Sequence, residues 1–330
     1  MLLAHPDADC FVEPVEGSLK RVTVKLVDTR LFMPRSSVVT SYPLELIEWI
    51  LSVKGPGYLC DEIAREEDSG YIRFSLETDL GAYFLSQQFA GKRILDFGCG
   101  SGASTMILSR IFPNAEVFGI ELDEDLLSVA KARARYYGFP ERRLLLSPGG
   151  TEVPPRVGQF DCVVMSAVFE HLLPQERRIL LPKIWDLISD DGFLFVNQTP
   201  YRFTPIETHT TGLPLINYLP DHLARWAACR FSGRIAPHES WETLLRKGIR
   251  GATEYEIITI LKSASAAHFP VLLEPNGKGI RDRVDLWAVS AQADRASARK
   301  AMRLVFKLIR VATGLTLVPY ISLALRKRVR

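Results

Sequence analysis

Residues Arg93 to Gly102 read RILDFGCGSG. Ile94, Leu95 and Phe97 form a short apolar run, predicted to be a buried strand, with Asp96 set among them. Burying a carboxylate costs free energy unless it is paired or hydrogen-bonded, so this one needs a partner or a ligand. Gly98, Gly100 and Gly102 follow, and then ASTMILSRIF from Ala103, apolar at Met106, Ile107, Leu108 and Ile111 with helical spacing. In the order strand, glycine turn, helix, the glycines let the backbone approach a ligand, and the helix N-terminus offers it unpaired N–H groups. A dinucleotide is one fit, because Gly98, Gly100 and Ala103 satisfy G-x-G-x-x-A. An acid two residues before the first glycine, and a Gly102 that the dinucleotide fingerprint does not require, count against it.

The run acid-x-Gly-x-Gly-x-Gly resembles the first motif of class I S-adenosylmethionine-dependent methyltransferases. The resemblance implies an α/β, Rossmann-like seven-stranded sheet with an antiparallel last strand and helices on both faces. It implies S-adenosylmethionine as cofactor and S-adenosylhomocysteine as product, held by Asp96, Gly98, Cys99, Gly100 and Gly102. Ala115 to Glu121 (AEVFGIE) then corresponds to the second strand, with Glu121 as the ribose ligand and Leu122 beside it. Arg143 to Ser147 (RLLLS) is the third, and Gly149 and Gly150 let backbone meet the adenine, although the carboxylate many relatives place here is missing. Phe160 to Met165 is the fourth, and the following SAVFEHLL is similar to the family's S-x-x-x-E-H-L segment, which puts Ser166 near the methionine moiety and Glu170-His171 just beyond.

Working outward, residues 1–75 read as an N-terminal α+β extension. Val22, Val24 and Leu26 alternate as a half-exposed strand. YPLELIEWILSV is a helix expected to end at Gly55-Pro56-Gly57, and LETDLGAYFLSQQFAG is a second helical pattern. In the family such an extension helps shape the acceptor pocket, which draws attention to Glu62, Arg65 and Tyr71, the last as a substrate contact. Residues 76–330 hold the catalytic domain. Helix 175–188, a Ser189–Gly192 turn and strand Phe193–Asn197 continue the sheet, His268–Leu273 suits its sixth strand and Tyr320–Leu325 its seventh.

Residues 197–250 are expected to form an acceptor lid. Their first part, NQTPYRFTPIETHTTGLPLINYLP, is proline-rich and polar, and loops at the C-terminal edge of such a sheet carry function. Asn197, Tyr201, Arg202, Glu207 and Asn217 are the expected substrate contacts. Of six histidines, His209 in the lid and His171 after the fourth strand are the candidate catalytic bases, while His268 reads as structural. Glu207 and His209 alone lack a third ligand that the sequence identifies, so no metal site is expected.

Composition sets the outer bounds. A chain of 330 residues, 47% hydrophobic, can bury a large core. Five scattered cysteines without a C-x-x-C pair suggest neither a disulfide framework nor zinc, and no signal peptide is visible at MLLAHPDADC, so a cytoplasmic location is expected. The net charge is +3, yet the segment from Arg295 to Arg330 holds ten Lys and Arg and no acid, which leaves the rest net acidic. Within it lies a basic helix, 295–313, with Arg299, Arg303, Lys307 and Arg310 on one stripe and Met302, Val305, Leu308, Ile309 and Ala312 opposite. Two arrangements suit that pattern: peripheral contact with an anionic membrane at its inner face, or packing on the sheet with the charged stripe in water. The apolar run after it is too short to span a bilayer.

The expected function is methyl transfer to an oxygen of a small-molecule or glycan acceptor, including a lipid-linked one. An RNA acceptor held by the basic tail and a non-catalytic S-adenosylmethionine-binding protein are the alternatives. No [DN]-P-P-[YF] sequence and no Pro-Cys pair occur, which argues against nucleic acid. Nothing in these patterns encodes an oligomeric state.

Overall fold

The computed structural model describes residues 1–28, 32–290 and 296–330. Strands β1 (Leu2–His5), β2 (Ala8–Pro14), β3 (Lys20–Leu26) and β4 (Ser37–Thr40) form an antiparallel sheet in chain order. The alternation that turns Val22 and Val24 inward recurs at Cys10 and Val12. These side chains share one core with Ile47 and Ile50 of α1 (Leu44–Lys54) and Leu59 and Ile63 of α2 (Pro56–Glu67). The first helix does stop at Gly55, where φ is +73°. Pro56 at once opens the next, in the first-turn position where its missing N–H costs nothing.

The helical pattern expected over LETDLGAYFLSQQFAG divides in two. Helix α3 (Phe74–Gly81) ends at Gly81. Beyond it the chain turns so that Phe84 and Phe89 pack against Phe112 and Phe193 beneath the main sheet. Aromatic burial outweighs local helix propensity there, since each such ring removes a large apolar area from water.

Strands β5 (Arg93–Phe97), β6 (Glu116–Glu121), β7 (Leu144–Leu146), β8 (Phe160–Ser166), β9 (Ile188–Pro200), β10 (His268–Leu273) and β11 (Tyr320–Val329) form the main sheet, in the order β10-β11-β9-β8-β5-β6-β7. Strands β5 to β9 are parallel, and β11 is antiparallel to both its neighbours. This is the seven-stranded arrangement expected. One face carries Leu95, Val163, Met165 and Leu194 against α6 (Pro174–Leu187) and α9 (Glu254–Ala264). The other carries Ile94, Val117 and Val164 against α3 and α4 (Ala103–Ile111), with α5 (Glu124–Tyr137) beyond. Ser189–Gly192, expected as a turn before the fifth strand, is instead part of β9: Asp191 at φ +61° and a register shift opposite Phe160 absorb the irregularity.

Residues 197–250 hold more structure than a loop. Helices α7 (Asp221–Phe231) and α8 (Trp241–Arg246) gather Ile216, Ala224, Ala228, Leu244 and Ile249 into a small core of their own. At the C-terminus, α10 (Arg283–Val289) precedes α11 (Ala296–Thr313). Of the basic helix expected at 295–313, Arg295 lies outside the described residues. The helix is turned opposite to the packing expected with its charges in water. Arg303 pairs with Asp285 at 2.7 Å, Lys307 with Asp282 at 2.5 Å, and Arg310 with Asp282 at 2.9 Å, while Phe306 meets Trp287. Met302, Val305, Leu308 and Val311 face solvent, the last 86% exposed. The acids gathered at the start of α10 decide the rotation, a pairing that hydropathy periodicity does not register. Among the described residues, no helix is long and apolar enough to cross a membrane.

Candidate active site

The parallel pairing of β5 with β6 brings two carboxylates to the same edge: Asp96 near the end of one strand and Glu121 at the end of the other. Between them, the Gly98 and Cys99 N–H groups both donate to the Ile120 carbonyl, at 2.9 and 3.0 Å. Gly98 and Gly102 have φ of +75° and +87° and no room for a side chain. A Cβ at Gly98 would lie 2.6 Å from Val168 Cγ2, and one at Gly102 2.9 Å from Ala130 Cβ. Cys99 is buried, its sulfur against Gly119, so what it offers at this edge is backbone. Glu121 Oε2 accepts from the Gly100 N–H at 2.7 Å, and Oε1 from Leu122 and Asp123 N–H at 2.8 and 3.0 Å. A carboxylate has about four acceptor positions, so at least one remains for a ribose hydroxyl.

Asp96 is fully buried. Its Oδ2 accepts from Ser104 Oγ at 2.6 Å and Thr105 Oγ1 at 2.7 Å, while Oδ1 has no partner among the described residues. A buried, unpartnered carboxylate oxygen beside a glycine turn suits the ammonium end of S-adenosylmethionine, so the residues present fit that cofactor. Burial raises the Asp96 carboxyl from 3.8 to about 6 against the pull of Ser104 and Thr105. The proton is therefore held more tightly in the fold than in the unfolded chain: full stability below about pH 4 is lost as pH rises through 6. That cost is about 3 kcal/mol at neutral pH. In Asp96→Asn an unpaired amide N–H returns about 1 kcal/mol of it. We expect this variant, without cofactor, to gain roughly 2 kcal/mol at pH 7 and to lose the slope between pH 4 and 6 in thermal or urea melts, while binding S-adenosylmethionine less tightly. An unchanged pH slope would refute this account of Asp96.

The N-terminal extension reaches the turn through charge. Ser101 donates its hydroxyl to Glu62, and Arg133 Nη1 donates to the Ser101 carbonyl at 2.9 Å and to Glu62 Oε1 at 3.3 Å. Glu62 and Arg133 are both buried. Burial acts to raise the Glu62 carboxyl, but Arg133, Arg65 and Lys54 outweigh it and hold the group below the ordinary range. Arg133 carried no sequence signal, since it reads as one more arginine near a helix end. Tyr71 donates to Asp61 Oδ1 at 3.0 Å and packs on the core of the extension.

After β7, Ser147 Oγ donates to the Glu152 carbonyl at 2.9 Å, which shapes the turn holding Gly149. A Cβ at Gly150 would lie 3.8 Å from Leu122 Cδ2, so that glycine and the half-exposed Leu122 are neighbours.

Past β8, Ser166 ends its strand beside Asn197 of β9. Asn197 is wholly buried, donates from Nδ2 to Asp79 at 3.3 Å, and has an unpartnered Oδ1. Thr199 donates to Glu170 Oε2 at 2.8 Å; Oε1 of that buried carboxylate has no hydrogen bond and lies 3.7 Å from His171 Nε2. His171 Nδ1 is 2.7 Å from the Arg246 carbonyl. A carbonyl only accepts, so Nδ1 carries the proton and the neutral ring keeps its lone pair on Nε2. The lid sets the His209 ring 5.8 Å from that of His171, against Gly248, where a Cβ would come within 3.0 Å of Nε2. Burial, with His171 adding to it, lowers His209 below the ordinary histidine range.

The remaining lid residues divide by what they touch. Glu207 is buried and fully engaged by its own loop: His209 and Thr210 N–H donate to Oε1 at 2.8 Å, and Thr211 N–H and Oγ1 to Oε2 at 2.6 and 2.7 Å. Asn217 is buried beside Thr204, and Tyr201 is tied by its N–H to the Pro319 carbonyl at 2.9 Å. Arg202 lies over Phe203, and burial together with nearby Arg250 lowers its guanidinium to about 10.

A family model described as a methyltransferase domain matches residues 94–192. Trans-aconitate 2-methyltransferase of Methylobacterium radiotolerans is 32% identical over 109 residues, 33% of this chain and 38% of that protein. Mitochondrial ubiquinone biosynthesis O-methyltransferase of Saccharomyces cerevisiae is 30% identical over 144 residues, 43% of this chain and 41% of that one. The chain thus spans about two fifths of the length of these curated relatives. Among solved structures, the plantazolicin methyltransferase BpumL in complex with S-adenosylhomocysteine is 13% identical, with a TM-score of 0.46 over 86% of this chain and 94% of that one.

Proposed function

We propose that this chain, whose residues 94–192 match a methyltransferase-domain family model, is a class I S-adenosylmethionine-dependent methyltransferase that transfers a methyl group to an oxygen of a small-molecule or glycan acceptor. The observation that carries the reading is the pair of carboxylates, Asp96 and Glu121, on adjacent parallel strands on either side of a glycine turn too crowded at Gly98 and Gly102 for any side chain.

S-adenosylmethionine, when bound, supplies a methyl group on positively charged sulfur. The chain's residues hold and align. Glu121 accepts ribose hydroxyls, Asp96 Oδ1 and the turn N–H groups take the amino-acid end, and Leu122 and Gly150 border the adenine. Alignment of reacting atoms is worth several kcal/mol, about 7–11 in the best intramolecular cases. The acceptor enters between the end of β8 and the lid, where Arg202 is a cation set to meet an anionic or hydroxyl-rich group. His171 and His209 hold its hydroxyl and ease its ionisation, a contribution of about 100- to 10,000-fold when a base is well placed. The lid, with its own core, excludes water from the transfer.

The solvent-facing apolar stripe of α11 supports an acceptor carried on lipid, with that stripe resting on a membrane surface. Labelled S-adenosylmethionine offered with RNA, free sugars, and lipid-linked sugars in anionic vesicles tests the whole reading. Label is expected in the sugar pools and greatest on vesicles. Label entering RNA alone overturns the acceptor assignment, and tight cofactor binding without label in any pool overturns catalysis.

A further inference from the structure

Among the described residues, Glu170, His171 and His209 bring one ligand atom each to within 4.8 Å of one another. Glu170 and His171 follow β8, and His209 arrives from the lid, so the group closes the seam between sheet edge and lid. Each member is oriented by something outside the group. Thr199 takes one oxygen of Glu170 and leaves Oε1, buried and without a hydrogen-bond partner, facing His171. The Arg246 carbonyl holds Nδ1–H of His171 at 2.7 Å and so presents Nε2. Arg246 is itself fixed by two contacts of 2.5 Å to Glu176. His209 sits at the end of the loop that Glu207 gathers, with Gly248 leaving space for its ring. A metal-ligating histidine typically donates its other ring N–H to a carbonyl or carboxylate, which is the relation of His171 to Arg246.

We infer that Glu170, His171 and His209 bind one divalent transition-metal ion of the zinc class, which fastens the lid to the sheet edge and keeps coordination positions open for the acceptor's hydroxyl. Two imidazoles and one carboxylate favour zinc or cobalt over magnesium or calcium, which take oxygen ligands. Three protein ligands leave at least one position free, as in catalytic rather than structural zinc sites. Glu207, the acid nearest His209 in sequence, is excluded because its loop backbone occupies both oxygens, and Glu170 supplies the carboxylate in its place. Ligand distances of about 2.0–2.2 Å require the three atoms, now within 4.8 Å of one another, to draw closer on binding. The inference shares the cleft of the methyl-transfer reading, and within it the two histidines act on the hydroxyl through the ion.

The test is calorimetric titration of the chelator-treated full chain with Zn²⁺, and of the same chain with Co²⁺ followed by visible absorption. One ion per chain is expected, with the intense visible band of low-coordinate cobalt. His209→Ala and His171→Ala are each expected to weaken binding at least roughly 100-fold, more than loss of an outer-shell partner does. S-adenosylmethionine titration of His209→Ala is expected to give the parent affinity, which shows that the variant is folded. Absence of stoichiometric ion binding, or equal affinity in both variants, overturns the inference and leaves cofactor binding intact. If S-adenosylmethionine fails to bind the parent chain while the ion binds with these dependences, the methyl-transfer reading falls and the metal site stands; thermal melts then report the folding of the variants.

Discussion

Arg133→Ala is expected to destabilise the chain by about 3–5 kcal/mol, the cost of leaving a buried charge without its partner. Arg133 is fully buried, donates to Glu62 and to the Ser101 carbonyl, and lies over the Tyr42 ring. Its loss leaves the buried Glu62 carboxylate with the Ser101 hydroxyl and, at 3.6 Å, the Lys54 ammonium in place of the guanidinium. Thermal melts should fall by several degrees, and S-adenosylmethionine affinity should fall too, because the guanidinium holds the turn carbonyl. The control is the double change Arg133→Met with Glu62→Met. Well-packed apolar side chains in place of a buried ion pair are often neutral or stabilising, so the double variant should recover most of the lost stability. If Arg133→Ala melts like the parent chain, the pair does not carry the joint between the N-terminal sheet and the glycine turn.

Glu121→Ala is expected to weaken S-adenosylmethionine binding by roughly 100-fold. One to two hydrogen bonds to a charged acceptor contribute about 1.5–3 kcal/mol each, and every 1.4 kcal/mol is a factor of ten. The same carboxylate also anchors Gly100, Leu122 and Asp123 N–H groups, so the alanine variant loosens the turn as well. Glu121→Gln separates the two effects: its amide oxygen can keep one anchor but lacks the charge, and an intermediate affinity is expected. Calorimetry giving parental affinity for both variants would remove Glu121 from the cofactor site.

The edge formed by the two carboxylates and the glycine turn was legible because it is local. Asp96, Gly98 and Gly102 lie within seven residues, and their meaning follows from a continuously buried strand, positive φ and a helix start, each set by neighbours in the chain. Glu121 was legible for the related reason that the next parallel strand must end at the same edge. The N-terminal sheet was half visible: β3 alternates clearly, whereas β1 has only four residues and β2 is interrupted by Asp9 and Glu13. The end of the first helix at Gly55 was read from Gly-Pro-Gly, but the same proline also starts α2, and only the buried Leu59 and Ile63 face reveals which role dominates.

What the sequence by itself determined is the order of the main-sheet strands and the carboxylates and glycines that end β5 and β6, since these depend on side-chain spacing along one element at a time. Tertiary structure alone decided three other things. It joined Glu62 to Arg133, turned the apolar stripe of α11 to solvent by pairing its cations with Asp282 and Asp285, and set Glu170 and His171 against His209. Each of these is a contact between residues far apart in sequence. Such contacts depend on how packed elements are rotated and on which buried charge finds a partner, quantities that no local periodicity carries.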